Sequence, residues 1–310
     1  MYSISELLTA YLDDKDLKPS SKQSYGVACR ALIRYIGDCI VEEIDRKTIN
    51  KWRNQVLRVT IKEVSWNTYI RHLRSLYQFA IDFGLIGLTK NPFDNCSVKC
   101  PKRPKKTVDS EVIDRGQRYL ATAEREEATP FHRSYFYPAW FWSTVFDTLL
   151  YTGIRAGELL SIKREDIDLR KGIVLISADT SKGFSERRIP IHESLLPSLW
   201  QLVHEATQKK VAKGEQLFNI NKFSARHRRP TMNMNQLEAF YKRMSDRLNV
   251  KVSPHRFRHT LASSLMKEPD RDIHTVKDLM GHKNLSTTLG YIEVGMDQMR
   301  SLVNGFRCPC

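Results

Sequence analysis

The stretch Ser253-Pro-His-Arg-Phe-Arg-His-Thr260 decides how this chain is read. Ser253 suits a helix N-cap, because its hydroxyl can accept from an otherwise orphaned amide. Pro254 suits the first helical position, where its fixed φ fits and its missing N–H costs nothing. A helix therefore opens beside His255, with unpaired amides and the positive end of the macrodipole close by, a favourable place for a phosphate. His255 and Arg258 are three apart and share one side of it. Phe257, Leu261 and Leu265 form the adjoining apolar stripe. His255 and His259 are four apart, which is also the spacing of a metal pair. A zinc protease, however, has glutamate where this chain has Arg256, and two flanking arginines would repel a dication, so no metal is expected.

The flanking segments extend the pattern in both directions. Ile273, Val276, Leu279 and Met280 predict a short buried helix stopped by Gly281, with His282 just past its end. Tyr291 is expected on a following short helix, beyond Ser286-Thr-Thr288. Its place between Leu289 and Ile292, taken alone, favours a core residue over a nucleophile. Residues 272–292 also fit a helix-turn-helix reader of bases. Upstream, an apolar helix runs from about Trp140 to Tyr151 and ends at Gly153, a residue suited to a left-handed cap. Arg155 follows at once, where a helix end fixed by its buried face can hold a guanidinium at a defined point. Glu158 is placed to orient it by a salt bridge. In isolation Arg155 reads as a surface arginine at a helix end.

Around this centre, Ser110 to Ala123 reads as a helix with Val112, Ile113, Tyr119 and Leu120 inward. Ile173–Ser177 and Arg187–Ile191 read as strands, and Thr180-Ser-Lys-Gly-Phe-Ser185 as the hairpin tip between them. The first ninety residues read as helices. Ile4, Leu7, Leu8 and Tyr11 have helical spacing. A capping box from Ser20 to Gln23 opens a second helix that ends at Gly37. Ile49, Trp52, Val56 and Leu57 mark a third. Ser65 caps a fourth, with Tyr69, Leu73, Leu76, Tyr77 and Ala80 on one face and a stop near Gly84. Its basic face, which includes Arg71 and Arg74, is either solvated or turned to DNA. The segment from Ser97 to Lys106 holds two prolines and the cations Lys99, Lys102, Arg103, Lys105 and Lys106 with no acid, an extended cationic connector that reads as a strap over DNA. The chain thus divides into a helical domain over 1–96, a linker over 97–106, a second domain over 107–294 and a tail over 295–310. In the tail Met296, Met299, Leu302, Val303 and Phe306 have helical spacing, as a docking segment for a neighbouring subunit would.

Composition narrows the class. At 310 residues there is room for two domains with cores of their own, and a hydrophobic content of 41% fits a folded protein. Lys and Arg number 50 against 35 Asp and Glu, a net charge of +15 that asks for a polyanionic partner. No apolar run approaches the ~20 residues that span a bilayer. The N-terminus lacks the features of a signal peptide, so a cytoplasmic protein is expected. In that compartment Cys29, Cys39, Cys96, Cys100, Cys308 and Cys310 read as reduced thiols, and their spacings are not those of a zinc knuckle.

Taken together, Tyr151-Thr-Gly-Ile-Arg155-Ala-Gly-Glu158, His255-Arg-Phe-Arg258-His-Thr260, Leu279-Met-Gly-His282 and Tyr291 resemble, in order, type and spacing, the signature of the tyrosine recombinases, the phage integrase family. The resemblance covers about residues 107–295 and extends more loosely to the N-terminal helices. Phe257 stands where leucine is common, and Ala156-Gly157 replaces bulkier residues. The resemblance implies a mainly α fold with a small antiparallel β-sheet: an α+β catalytic domain preceded by a helical domain that binds core-site DNA. It implies Arg155, Lys182, His255, Arg258, His282 and Tyr291 as the catalytic set, with Tyr291 the nucleophile. Lys182 takes its place from the hairpin, with Lys171 near another turn as the competing choice. It further implies double-stranded DNA as substrate, no cofactor and no metal, a monomer when free, and a tetramer in the synapse with room for accessory DNA-bending proteins. Mobile-element integration is the preferred task. A type IB topoisomerase shares this chemistry, and a non-catalytic DNA-binding regulator could share the fold, although the complete residue set argues against the latter.

Overall fold

The computed structural model describes residues 1–101, 106–129, 134–177, 186–268 and 272–291. The chain separates into two compact units, 1–103 and 104–310. In the first, α1 (Ile4–Asp14) opens on a capping box in which the Ser3 hydroxyl accepts from the Glu6 amide and the Glu6 carboxylate accepts from the Ser3 amide. Helix α2 (Pro19–Ile36) starts earlier than the Ser20 capping box predicts. Pro19 takes the first helical position after Lys18, and Ser20 is already inside, its carbonyl accepting from the Ser24 hydroxyl at 2.9 Å. Helix α3 (Arg46–Val59) is capped by Asp45, which accepts from the Thr48 amide at 2.7 Å. Helix α4 (Glu63–Asp82) likewise begins before Ser65. Lys62 is its N-cap, and Glu63 places a negative charge in the first turn, where the helix dipole favours it. These helices close over Trp52, Trp66, Tyr77 and Phe93, all fully buried, and the Trp66 indole N–H donates to the Cys96 carbonyl at 2.8 Å.

The second unit is organised by a buried helix. After α5 (Ser110–Glu127), helix α6 (Ala139–Thr152) is apolar almost all round, as a helix must be when neighbours cover every face. Helix α7 (Ala156–Leu159) follows. Strands β1 (Ile167–Asp168), β2 (Ile173–Ile176) and β3 (Arg187–Pro190) form an antiparallel sheet in that order, with Val174 opposite Ile189. Val174, Ile176 and Ile189 point into the core, the period-two pattern of a sheet with one buried face. The two-residue β1 goes beyond the two strands expected. Then come α8 (Leu196–Gln208), α9 (Ile220–Phe223), α10 (Met234–Leu248), α11 (Pro254–Lys267), α12 (Ile273–Met280) and α13 (Leu285–Leu289). Helix α6 packs against α5, α8 and α11. Trp142 stacks on Phe240 at 4.5 Å, and Phe146 meets Phe257 edge-on at 4.7 Å. The fold is therefore mainly α with one small antiparallel sheet, and the end of α6 is fixed on several sides. Among the described residues no helix is long and apolar enough to cross a membrane.

Candidate active site

The site is built on two left-handed helix caps. Gly153 ends α6 at φ 60° and Gly281 ends α12 at φ 61°, a conformation that glycine adopts without the Cβ penalty. Arg155 follows the first cap. Its Nη1 donates to Glu158 Oε1 at 2.7 Å, its backbone amide donates to Glu158 Oε2 at 2.8 Å, and its Nη2 donates to the Gly281 carbonyl at 3.0 Å. The salt bridge expected from the spacing is thus present. Glu158 is 1% exposed and serves a second cation: Arg187, at the start of β3, donates Nη2 to Oε2 at 2.6 Å and Nη1 to Oε1 at 3.1 Å. Burial pushes the Glu158 carboxyl up, but the hydrogen bonds from Arg187 and Arg155 outweigh it and hold the group below the ordinary carboxylate range. Gly281 also makes room for Arg187, since a Cβ there would stand 2.5 Å from its Nη1.

Helix α11 begins as expected. The Ser253 hydroxyl accepts from the Arg256 amide at 3.3 Å, and Pro254 takes the first position. Phe257 is driven into the core, which orients the next residue: Arg258 is 4% exposed. It donates Nη1 to the Gly153 carbonyl at 2.7 Å and Nη2 to the Met280 carbonyl. Arg258 therefore links the ends of α6 and α12. Burial, with Arg155 as a like-charged neighbour, brings its guanidinium down to about 10, still charged at neutral pH. His282, just past the Gly281 cap, shares a hydrogen bond between its Nδ1 and Thr288 Oγ1 at 2.9 Å.

Tyr291 lies one residue past Gly290, the cap of α13, and so is in a turn rather than on a helix as expected. Helix α13 is only five residues long, and the turn carries the ring inward. That ring, 4% exposed, packs with Ala262, Val276 and Met280 and lies parallel to His282 at 5.8 Å. Its hydroxyl does not end in the apolar core. It is hydrogen-bonded to His259 Nδ1 at 2.7 Å. Burial raises the Tyr291 phenol above its ordinary value, and Arg258 and Arg155 offset part of that rise. The ring thus packs as a core residue does, while the hydroxyl is turned to a polar partner.

Arg155, His255, Arg258, His282 and Tyr291 line a single cleft of about 500 Å³, together with His259. Lys182 lies outside the described residues. The competing Lys171 is exposed beside the β1–β2 turn, with Nζ 3.5 Å from Asp168 Oδ2. Among the cations expected to face DNA, Arg71, Arg74 and Lys99 are exposed in the first unit and Lys106 in the second. Arg74 also pairs with Asp94 at 2.8 Å. Lys102, Arg103 and Lys105, the hairpin tip and the tail over 295–310 lie outside the described residues. Arg187 and His259 were not assigned from sequence. The only signal for His259 was its spacing from His255, which reads first as a metal pair. Arg187 gives no signal until β3 is placed against the caps.

The structure thus sets arginines, imidazoles and one phenol around a single cleft, on two glycine caps beside a small sheet. Residues 135–298 match the profile of the phage integrase family, and residues 4–84 match that of the phage integrase N-terminal SAM-like domain. The chain belongs to the phage integrase family of tyrosine recombinases. Proteins of Pseudomonas syringae and Pseudomonas aeruginosa, each provisionally named tyrosine recombinase XerC, are both 39% identical to it, over 97% and 96% of this chain. The chain spans 64% of the length of the first and 70% of the second. Among solved structures, the Tn1549 transposon integrase in complex with circular intermediate DNA has a TM-score of 0.73, covering 98% of this chain and 99% of the other at 18% identity, a likeness of fold.

Proposed function

We propose that this chain is a site-specific recombinase that cuts and rejoins double-stranded DNA through a tyrosine joined to the 3′-phosphate. One observation carries the reading: the Tyr291 hydroxyl shares a cleft with Arg155, Arg258, His255 and His282. A free phenol has a pKa near ~10 and is mostly protonated at neutral pH. Its attack on phosphorus requires loss of that proton and neutralisation of the charge that builds on the phosphorane. In this reading Arg155 and Arg258 grip the non-bridging oxygens, a geometry that suits planar guanidinium groups. Fixed donors of this kind typically contribute ~3–4 kcal/mol each when removed singly. His282 hydrogen-bonds the scissile phosphate, His255 assists proton transfer, and Lys182 protonates the departing 5′ oxygen. The Tyr291–phosphate bond conserves the phosphodiester linkage, so religation to a new 5′-hydroxyl needs no nucleotide, metal or cofactor.

Four subunits on two sites would exchange strands in two steps through a Holliday junction, as the family reading implies. Residues 1–96 would bind the core site with Arg71 and Arg74 toward DNA. The linker over 97–106, with Lys99, Lys102, Arg103, Lys105 and Lys106, would cross the duplex. Residues 107–294 would carry out the chemistry, and the tail over 295–310 would dock on a neighbouring subunit in the cytoplasmic complex. The net charge of +15 supports the DNA-binding part of this reading.

The test uses a duplex selected for binding from a random-sequence pool, nicked so that cleavage releases a short strand and traps the product. In EDTA the protein should form an adduct that survives a denaturing gel. Tyr291→Phe should bind the same duplex and form none. Binding without any adduct from the wild-type protein would overturn the proposal. Relaxation of supercoiled plasmid lacking the selected site would favour a topoisomerase instead.

A further inference from the structure

We infer that His259 takes the phenolic proton of Tyr291 during attack, which makes it a further catalytic residue. The inference rests on the reading of Tyr291 as nucleophile. Nδ1 of His259 is 2.7 Å from Tyr291 Oη, within the range over which a proton passes directly between a positioned base and its substrate. The two residues come from distant parts of the chain, yet both are held firmly. His259 sits between Arg258, anchored to the Gly153 and Met280 carbonyls, and Thr260, whose hydroxyl accepts from the Val108 amide at 2.8 Å. Tyr291 is held by its ring, which is packed with Ala262, Val276 and Met280. The acceptor and the reacting oxygen therefore face each other on anchored elements, as a preorganised site requires.

The chemistry fits this contact. A neutral imidazole that carries its hydrogen on Nε2 has a lone pair on Nδ1 and can accept from a phenol. Removing a proton from a phenol of pKa near ~10 to an imidazole of pKa near ~6.5 is uphill in water. It becomes feasible when it accompanies bond formation, because the negative charge passes to phosphorus instead of staying on Oη. The O–H electron pair of Tyr291 becomes the Oη–P bond, and the proton goes to His259 Nδ1. The P–O5′ pair leaves on the 5′ oxygen, which takes a proton from a separate donor. On religation the imidazolium returns its proton to the phenol. His255 lies edge-on to His259 at 4.0 Å and is exposed, so the pair has solvent beside it. The other charged or titratable groups lining this cleft are Arg258 on α11, Arg155 at the start of α7 and His282 after α12.

The experiment measures single-turnover adduct formation on the nicked duplex described above. His259→Asn keeps a short polar side chain that cannot accept a proton at neutral pH, and His259→Gln is the second variant should the first fold poorly. Either, once shown to melt and bind DNA like the wild type, should form adduct on the order of 10²-fold more slowly. Its rate should climb with pH as hydroxide replaces the missing base. The same duplex with sulfur in place of the bridging 5′ oxygen has a leaving group that needs no acid, so it should leave the variants equally slow relative to wild type. A wild-type rate in both variants would overturn the proposal, and so would recovery on the sulfur substrate, which would move His259 to the leaving-group side. Each of these results leaves Tyr291 as nucleophile. Absence of any adduct from the wild-type protein would instead remove that reading, and this one with it.

Discussion

Glu158→Gln is the perturbation whose size can be worked out most fully. The Glu158 carboxylate accepts four hydrogen bonds: from the Arg155 amide at 2.8 Å and its Nη1 at 2.7 Å, and from Arg187 Nη2 at 2.6 Å and Nη1 at 3.1 Å. Each oxygen takes two of them, one from each arginine. An amide turns one oxygen into a donor that faces donors, so two of the four are lost whichever way it flips. Hydrogen bonds to charged groups are worth ~1.5–3 kcal/mol each, and removing one partner of a buried ion pair costs ~3–5 kcal/mol. Glu158 is buried, Arg187 is nearly so and Arg155 is partly open to water, so the lower half of that range is expected. For a unit of about 200 residues this corresponds to a fall in Tm on the order of 10 °C. Urea unfolding read by hydrogen exchange at the α6 amides reports the second unit by itself. The pH dependence supplies an independent check. The folded carboxyl titrates below its unfolded value, so its contribution is complete above about pH 4.3 and is lost as pH falls through the lower folded value. The gap between wild type and Glu158→Gln should therefore hold at neutral pH and close in acid. A loss within ~0.5 kcal/mol, the size of an ordinary surface change, or a gap that does not depend on pH, would refute the reasoning.

Other outcomes follow from the same geometry. Tyr291→Phe should abolish adduct formation while DNA binding persists, and losing the bond to His259 should lower stability by about 1 kcal/mol in a urea melt. Gly281→Ala should lower both stability and cleavage rate. The left-handed φ of 61° costs ~1–2 kcal/mol for alanine, and the new methyl would displace the Arg187 guanidinium, a combined effect readable by thermal melting and single-turnover cleavage. Arg71→Ala, if that side chain meets a phosphate, should make the dependence of log K on log salt shallower by about 1, measured by fluorescence anisotropy across a salt series.

The site's scaffold was legible wherever local chemistry decides conformation. Ser253 and Pro254 mark the start of α11 by capping and φ alone, and Gly153 and Gly281 mark left-handed stops. The expected catalytic set came from the family likeness, not from these local signals. Local signals misled where two of them competed. Ser20 and Ser65 offer capping hydroxyls, but Pro19 and Glu63 favour an earlier start and prevail. What stayed illegible was long-range pairing. Arg187 is 29 residues from Glu158, and His259 is 32 from Tyr291, so no helical or strand period connects them. Only the placement of β3 and α13 against the caps reveals either contact.

The carbonyls of Gly153, Met280 and Gly281 give the two cleft arginines a second employment. Arg258 and Arg155 act as rivets between the ends of α6 and α12 before any substrate arrives. If both also grip phosphate, as proposed, neither evolution nor engineering could retune that grip without also loosening the frame. Lysine's compact ammonium would lack the planar fork by which Arg258 sends one Nη to each helix end. Variants at these positions should accordingly lose mechanical integrity and turnover in the same stroke, and second-site suppressors should arise at the glycine turns rather than along the cleft walls.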